Sequence, residues 1–226
     1  MIAEVLVVKA SDIAKLLSKP PEGDEVSAKF GRIFEEEYSL ANHLYLSAWN
    51  TKKIPRLFAR KVAARLKAEG IYRRELVLKA YRAYSALLNA GVVGEKPLTQ
   101  FRELADSLFI AAQPDVYNKG SDTYYEFKLY PINDYARTQT KVFAWVLQRP
   151  VVLVGLRELP GGYFKAEKEI VAPPSTLDVD PGELRKIATP EEFCADLGIP
   201  VHMYLRHPHR YSFKEDEYDE DVNLFL

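Results

Sequence analysis

Three residues in "QPDVYNKGSDTYYEFK" (113–128) carry groups that can do chemistry. Asp115 follows the apolar run "SLFIAA", and Glu126 and Lys128 flank Phe127 inside the aromatic run "TYYEFKLY". Side chains alternate along a strand. Tyr124, Glu126, Lys128 and Tyr130 therefore share one face, while Tyr125, Phe127 and Leu129 share the other and can pack into a core. If "SLFIAA" pairs with "TYYEFKLY" across the turn "YNKGSD", Asp115 arrives beside Glu126. Two carboxylates at one point repel each other and favour a hard divalent cation, Mg²⁺ or Mn²⁺, held through oxygen. A neighbouring lysine can stabilise charge on a phosphate or orient an attacking water. Together these groups suit the hydrolysis of a phosphodiester. A Glu and a Lys two apart on a strand are also an ordinary solvated pair, so their placement in the fold decides between the two readings.

Those strands need neighbours. "AEVLVV" reads as a short strand and "SDIAKLL" as a helix. Phe30, Ile33, Phe34, Ala41, Leu44, Tyr45 and Ala48 recur at helical spacing and predict a long amphipathic helix over about 27–48. Pro55 opens a second helix that Gly70 ends, and a third runs from Arg73 to Asn89 and stops at Gly91. "NDYARTQTKVFAWVLQ" is a helix capped by Asn133 or Asp134. "PVVLVGLREL" is a continuous apolar strand, hence central, and "YFKAEKEIVA" can pair back onto it. Thr189, Pro190 and Glu192 spell a helix start, and "IPVHMYL" a last strand. The expectation is an α/β fold: a mixed central β-sheet flanked by helices, with an N-terminal helical elaboration. Residues 1–213 form one domain, with a helical region at 27–100, a core at 105–171 and an acidic tail at 214–226.

Composition sets the limits. The chain has 226 residues, 47% apolar and 28% charged, which is ample for a hydrophobic core. No apolar run reaches membrane-helix length, and the N-terminus lacks a basic n-region and a small-residue cleavage site. One cysteine, Cys194, excludes an internal disulfide and a four-cysteine metal centre within the chain, so the cytoplasm is the expected compartment. Few Asn, Gln, Cys and Met beside many Lys, Glu, Arg and Tyr are a thermophile-like bias. The net charge of −1 hides an asymmetry: residues 52–82 carry eleven Lys or Arg against Glu69 and Glu75, whereas 214–226 carries six acids and one Lys. A basic block in a near-neutral chain points to a polyanion.

The Pro114-Asp115 pair followed by Glu126-Phe127-Lys128 resembles the PD-(D/E)xK nuclease signature. The next helix extends the resemblance to the RecB-like branch, which carries Gln-x-x-x-Tyr there. Gln139 matches, and Phe143 stands in the Tyr position without its hydroxyl. Tyr135, Gln139, Phe143 and Val146 share one helical face, so Gln139 is a polar group on an apolar stripe and needs a partner. The branch also has an upstream Gly-x-x-x-His. Here Gly31 is followed four residues on by Glu35, an oxygen donor in place of the His. Periodicity instead turns Glu37 inward and Glu35 away, so the resemblance offers Glu35 and the helix face offers Glu37. The resemblance implies a restriction-endonuclease-like core and metal-dependent cleavage of DNA in repair, recombination or defence. In that scheme Asp115 and Glu126, with Glu35, bind Mg²⁺ or Mn²⁺, and Lys128 and Gln139 complete the catalytic set. The other open reading is a nucleic-acid-binding module, or a subunit of a larger complex, that keeps the fold without cutting. The resemblance covers about 105–158 closely and 31–38 loosely. The iron–sulfur cysteines of some members are absent.

The basic block spaces Arg56, Arg60 and Lys67 along one helical stripe, away from Phe58, Val62 and Leu66. With Arg74 and Arg82 these are the expected phosphate contacts, and Tyr72, Tyr81 and Tyr84 are available to stack on bases. This combination suits single-stranded or branched DNA. His202, His207 and His209 match no metal spacing we recognise. The acidic tail is an expected contact for a protein partner or a cover for the basic groove.

Overall fold

The computed structural model describes residues 5–47 and 53–191. In chain order the elements are β1 (Leu6–Lys9), α1 (Ala10–Leu17), α2 (Glu25–Ser47), α3 (Ile54–Ala68), α4 (Arg74–Asn89), β2 (Gln100–Ala105), β3 (Leu108–Ala112), β4 (Val116–Asn118), β5 (Thr123–Lys128), α5 (Asp134–Leu147), β6 (Val151–Glu158), β7 (Phe164–Val171), α6 (Pro181–Ile187) and β8 (Thr189–Pro190). The helix punctuation follows the local chemistry. Gly70 and Gly91 take positive φ just past α3 and α4, where a left-handed residue lets orphan carbonyls be satisfied. Asn133, not Asp134, caps α5, its side chain accepting from the Ala136 N–H at 2.8 Å.

The fold is mixed α/β, but among the described residues the expected single central sheet is two four-stranded sheets. One has the order β2-β3-β1-β8 and the other β4-β5-β6-β7. The strand 107–112 does not pair with 123–130. β3 instead pairs parallel with β1 and antiparallel with β2. The three-residue β4 supplies the hairpin partner of β5. The misreading has a plain cause. "QFRELA" has no clean alternation, so β2 went unrecognised and β3 was left without its neighbour. β6 is central as expected, parallel to β5 and antiparallel to β7. Thr189 and Pro190 form β8 against Val7 and Leu6, and the rest of the expected helix, from Glu192 on, lies outside the described residues. The helix that was missed lies just before, where Asp180 caps Gly182 and Pro181 takes the first position of α6. Cys194, the three C-terminal histidines, the expected strand "IPVHMYL" and the acidic tail lie outside the described residues.

Two apolar layers fix the sheet that matters. Phe30, Ile33, Phe34 and Tyr38 of α2 pack with Phe58, Val62 and Leu66 of α3 and with Tyr84 and Leu87 of α4. That helical layer covers one face of the β5–β6 pair through Phe127, Val154 and Leu156. α5 covers the other side and packs on β2, β3, β6 and β7, so it joins the two sheets. Among the described residues no helix is long and apolar enough to cross a membrane.

Candidate active site

Phe127 fixes β5. Its ring lies 5.9 Å from Phe34 and 4.7 Å from Tyr38, in an aromatic cluster that continues to Phe58 and Tyr84. With Phe127 held there, strand alternation sends Glu126 and Lys128 to the opposite face, and Tyr125 and Leu129 pack with Phe127 as expected. That opposite face is not solvated surface: Glu126 is only 2% exposed. The Lys128 Nζ donates to Glu126 Oε1 at 2.6 Å. Glu126 Oε2 is buried and has no hydrogen-bond partner among the described residues.

Asp115 stands one residue before β4. Val116 pairs with Tyr125, so Asp115 comes level with Glu126, and its Oδ2 accepts the Phe127 N–H at 2.9 Å. A second clamp holds the approach to β4. The Glu95 and Tyr117 backbones exchange hydrogen bonds at 2.9 and 2.7 Å. Gly94 is what lets them meet, because a Cβ there would fall 2.2 Å from the Tyr117 carbonyl oxygen. The expected neighbourhood of Asp115 and Glu126 is thus realised through a shorter strand than the one anticipated.

These groups line a cleft of about 250 Å³ that also takes in Glu35 from α2 and Gln139 and Phe143 from α5. The placement separates Glu35, which lines the cleft, from Glu37. Glu37 is buried, as its periodicity predicts, but it faces Arg65 at 3.4 Å and does not line the cleft. Glu35, turned off the core stripe, faces the cleft because the site opens at the margin of α2 rather than beneath it.

Electrostatics follow from the crowding. Burial, then the charges of Glu126 and Glu35, push the Asp115 carboxyl well above its ordinary value, against Lys128 and the Phe127 N–H, which act to lower it. Glu35 as a residue is exposed, because the cleft is open to water. Protein atoms nonetheless crowd its carboxyl, and desolvation with Glu126 nearby raises it to about 7. Burial opposes the charge on Lys128, but Glu126, Asp115 and Glu35 outweigh it and hold the ammonium above its usual range. Lys128 is therefore a fixed cation, not a proton acceptor, near neutral pH.

The donor set fits a hard cation. It consists of carboxylate oxygens, one of them buried without a partner. Among the described residues no three acidic, His or Cys side chains converge into a ready metal cage. Mg²⁺ in particular is commonly held by one or two carboxylates with water and substrate phosphate completing the shell, and the Asp115–Glu126 pair meets that requirement.

Away from the cleft, Arg56, Arg60 and Lys67 are exposed on α3, and Arg74 is exposed at the start of α4. Arg82 is not a free contact: its Nη1 donates to Gly161 O at 2.8 Å and its guanidinium lies 4.8 Å from the Tyr163 ring centre. Tyr72 and Tyr81 are exposed, but Tyr84 is fully buried, stacked on Phe58 at 4.3 Å, and cannot receive a base. Sequence reading passed over Lys9, Ser11 and Thr99, which also line the cleft. The available signal was a polar "KAS" ending an apolar strand where a helix begins. Comparison of the chain with family models, with curated proteins and with solved structures returned no match.

Proposed function

We propose that the protein is a Mg²⁺- or Mn²⁺-dependent nuclease that hydrolyses DNA phosphodiester bonds, with a restriction-endonuclease-like core. The observation that carries this is one cleft holding Asp115, Glu126 and Glu35 around the ammonium of Lys128, with a Glu126 oxygen left unpartnered in the interior. Gathering like charges in a half-buried cleft is costly, and groups perturbed in this way concentrate at functional sites. Asp115 and Glu126 are the residues that would hold the metal, with Glu35 a further oxygen in the same cleft. The metal, when bound, supplies polarisation of the phosphoryl oxygen and acidification of water.

The chain's own groups do the rest. Lys128, locked in its charged form, stabilises negative charge growing on the phosphoryl oxygens as water, giving up a proton to solvent, forms the new P–O bond and the leaving sugar oxygen departs and is protonated by solvent. Its hydrogen bond to Glu126 keeps the ammonium from swinging out of the cleft. The Phe127 N–H holds Asp115 by one oxygen and leaves the other available. Gln139 lines the same cleft and would orient substrate or water there. Exposed Arg56, Arg60, Lys67 and Arg74 supply charge for a single-stranded or branched backbone. A chain with one cysteine suits a reducing cytoplasm.

The test is cleavage of labelled single-stranded, double-stranded and flapped DNA with Mg²⁺, Mn²⁺ or EDTA. Asp115→Asn keeps an oxygen for the Phe127 N–H and should fold, yet lose at least about a hundredfold in rate. Unchanged cutting by Asp115→Asn would refute the assignment. Binding that persists in EDTA with no cutting under any metal would favour a non-cutting nucleic-acid-binding module on this fold.

A further inference from the structure

β1 passes into α1 with no intervening loop. Lys9 ends the strand and is also the N-cap, with extended backbone (φ −74°, ψ 141°) and no side-chain hydrogen bond to the first turn. First-turn N–H groups have no acceptor within their own helix, and their partial positive charge favours an anion. This first turn opens on the cleft, since Lys9, Ala10 and Ser11 all line it. The location also fits the architecture. β1 and β3 run parallel, Lys9 beside Ala111, and Ala111 lines the cleft too. The carboxyl ends of parallel strands are where α/β sheets receive ligands.

Gln139 is the independent observation. It comes from a different helix, is only 8% exposed, and its side-chain Oε1 is buried with no hydrogen-bond partner among the described residues. It lines the same cleft. A buried carboxamide without a partner calls for a hydrogen-bonding guest, and half a turn about its last bond presents either its oxygen or its NH₂. The cleft is therefore two-sided in chemistry: carboxylates come from the β4–β5 hairpin and α2, and donors come from the β1–α1 junction and α5.

We propose that the first turn of α1, with the Ser11 hydroxyl and the Gln139 carboxamide, forms a seat for a phosphate oxyanion. Its guest is a backbone phosphate of the bound strand beside the one that is cut. The identity of the guest rests on the nuclease reading; the seat itself does not.

Two substitutions at Ser11 test it. Ser11→Asp puts a carboxylate where a helix start welcomes one but where an anionic guest would be repelled. Ser11→Pro is tolerated in a first turn and removes both the N–H and the hydroxyl. The first probe is inorganic phosphate in EDTA, read as the rise in Tm over chloride of equal ionic strength. The parent should show the rise, and both variants should lose most of it while remaining folded. The second probe is a short oligothymidylate in EDTA. Ser11→Asp should weaken binding about tenfold at equal salt, because its carboxylate repels the phosphate. Equal loss with and without a 5′-phosphate supports the internal phosphodiester. Loss confined to the 5′-phosphorylated strand overturns that guest in favour of a terminal phosphate. Variants that match the parent with both probes overturn the seat. The two readings fail separately. Metal-dependent cutting with indifferent Ser11 variants removes the seat and keeps the nuclease. Phosphate protection lost in both variants, with no cutting under any metal, does the reverse.

Discussion

Glu35 carries a measurable signature of the cleft. Its carboxyl titrates near 7 in the folded protein, above its ordinary 4.5. A raised acid favours the folded state when protonated. That contribution is complete below about pH 4.5 and is lost as pH rises through 7. Glu35→Gln should therefore match the parent in Tm at the acid end and exceed it at pH 8 in EDTA. Allowing for water in the open cleft, the gain is about 1 kcal/mol, or roughly 2–4 °C. Adding Mg²⁺ should reverse the order, because the parent then has the extra oxygen. A pH-independent difference, measured by thermal unfolding across the range, would disconnect Glu35 from the cluster. Lys128 has the opposite character. Breaking a buried ion pair leaves an uncompensated charge, so Lys128→Met should cost about 3 kcal/mol in denaturant unfolding without metal. At this scale the sequence was informative. Asp115, Glu126, Lys128 and Gln139 were legible because a charged or amide group inside an apolar periodicity demands a partner. The fate of Glu37 was not, since periodicity reports burial but not which side chain waits across the interface.

Elements position these groups through backbone contacts that leave little room. A Cβ on Gly155 would lie 2.6 Å from the Ile132 nitrogen and 3.1 Å from the Tyr130 carbonyl, and Tyr130 O accepts the Leu156 N–H at 3.0 Å. Gly155 also sits beside Lys128 in the parallel pair. Gly155→Ala should push the segment after β5 outward, cost about 1–3 kcal/mol, and lower cleavage more than DNA binding, as read by unfolding and by single-turnover rate. Helix starts and stops were visible in the sequence because they are decided by near neighbours: a cap, a proline, a glycine. Strand partners were not. β3 looks the same whether it pairs with β5 or with β1, and only the whole chain decides. β4 is three residues long and left no periodicity to read.

Across the molecule the charges are segregated by sign. The negative cluster is recessed in the cleft, while Arg56, Arg60 and Lys67 stand on the solvent face of α3. Replacing those three with Glu should weaken DNA binding steeply at low salt and little at high salt, with Tm nearly unchanged, as anisotropy titrations and thermal melts would show. Identical salt slopes in parent and variant would place the nucleic acid elsewhere. The parallel pairing of Leu6 with Leu108 has a temporal meaning as well. About a hundred residues separate the partners, and at roughly 5–20 residues per second synthesis takes about 5–20 seconds to span them. A nascent chain ending before β3 already contains the first four helices, yet the junction at Lys9 has no sheet to join. Its cleft has no floor. The cleft is therefore completed late in synthesis, after β3, the β4–β5 hairpin and α5 have followed the helices.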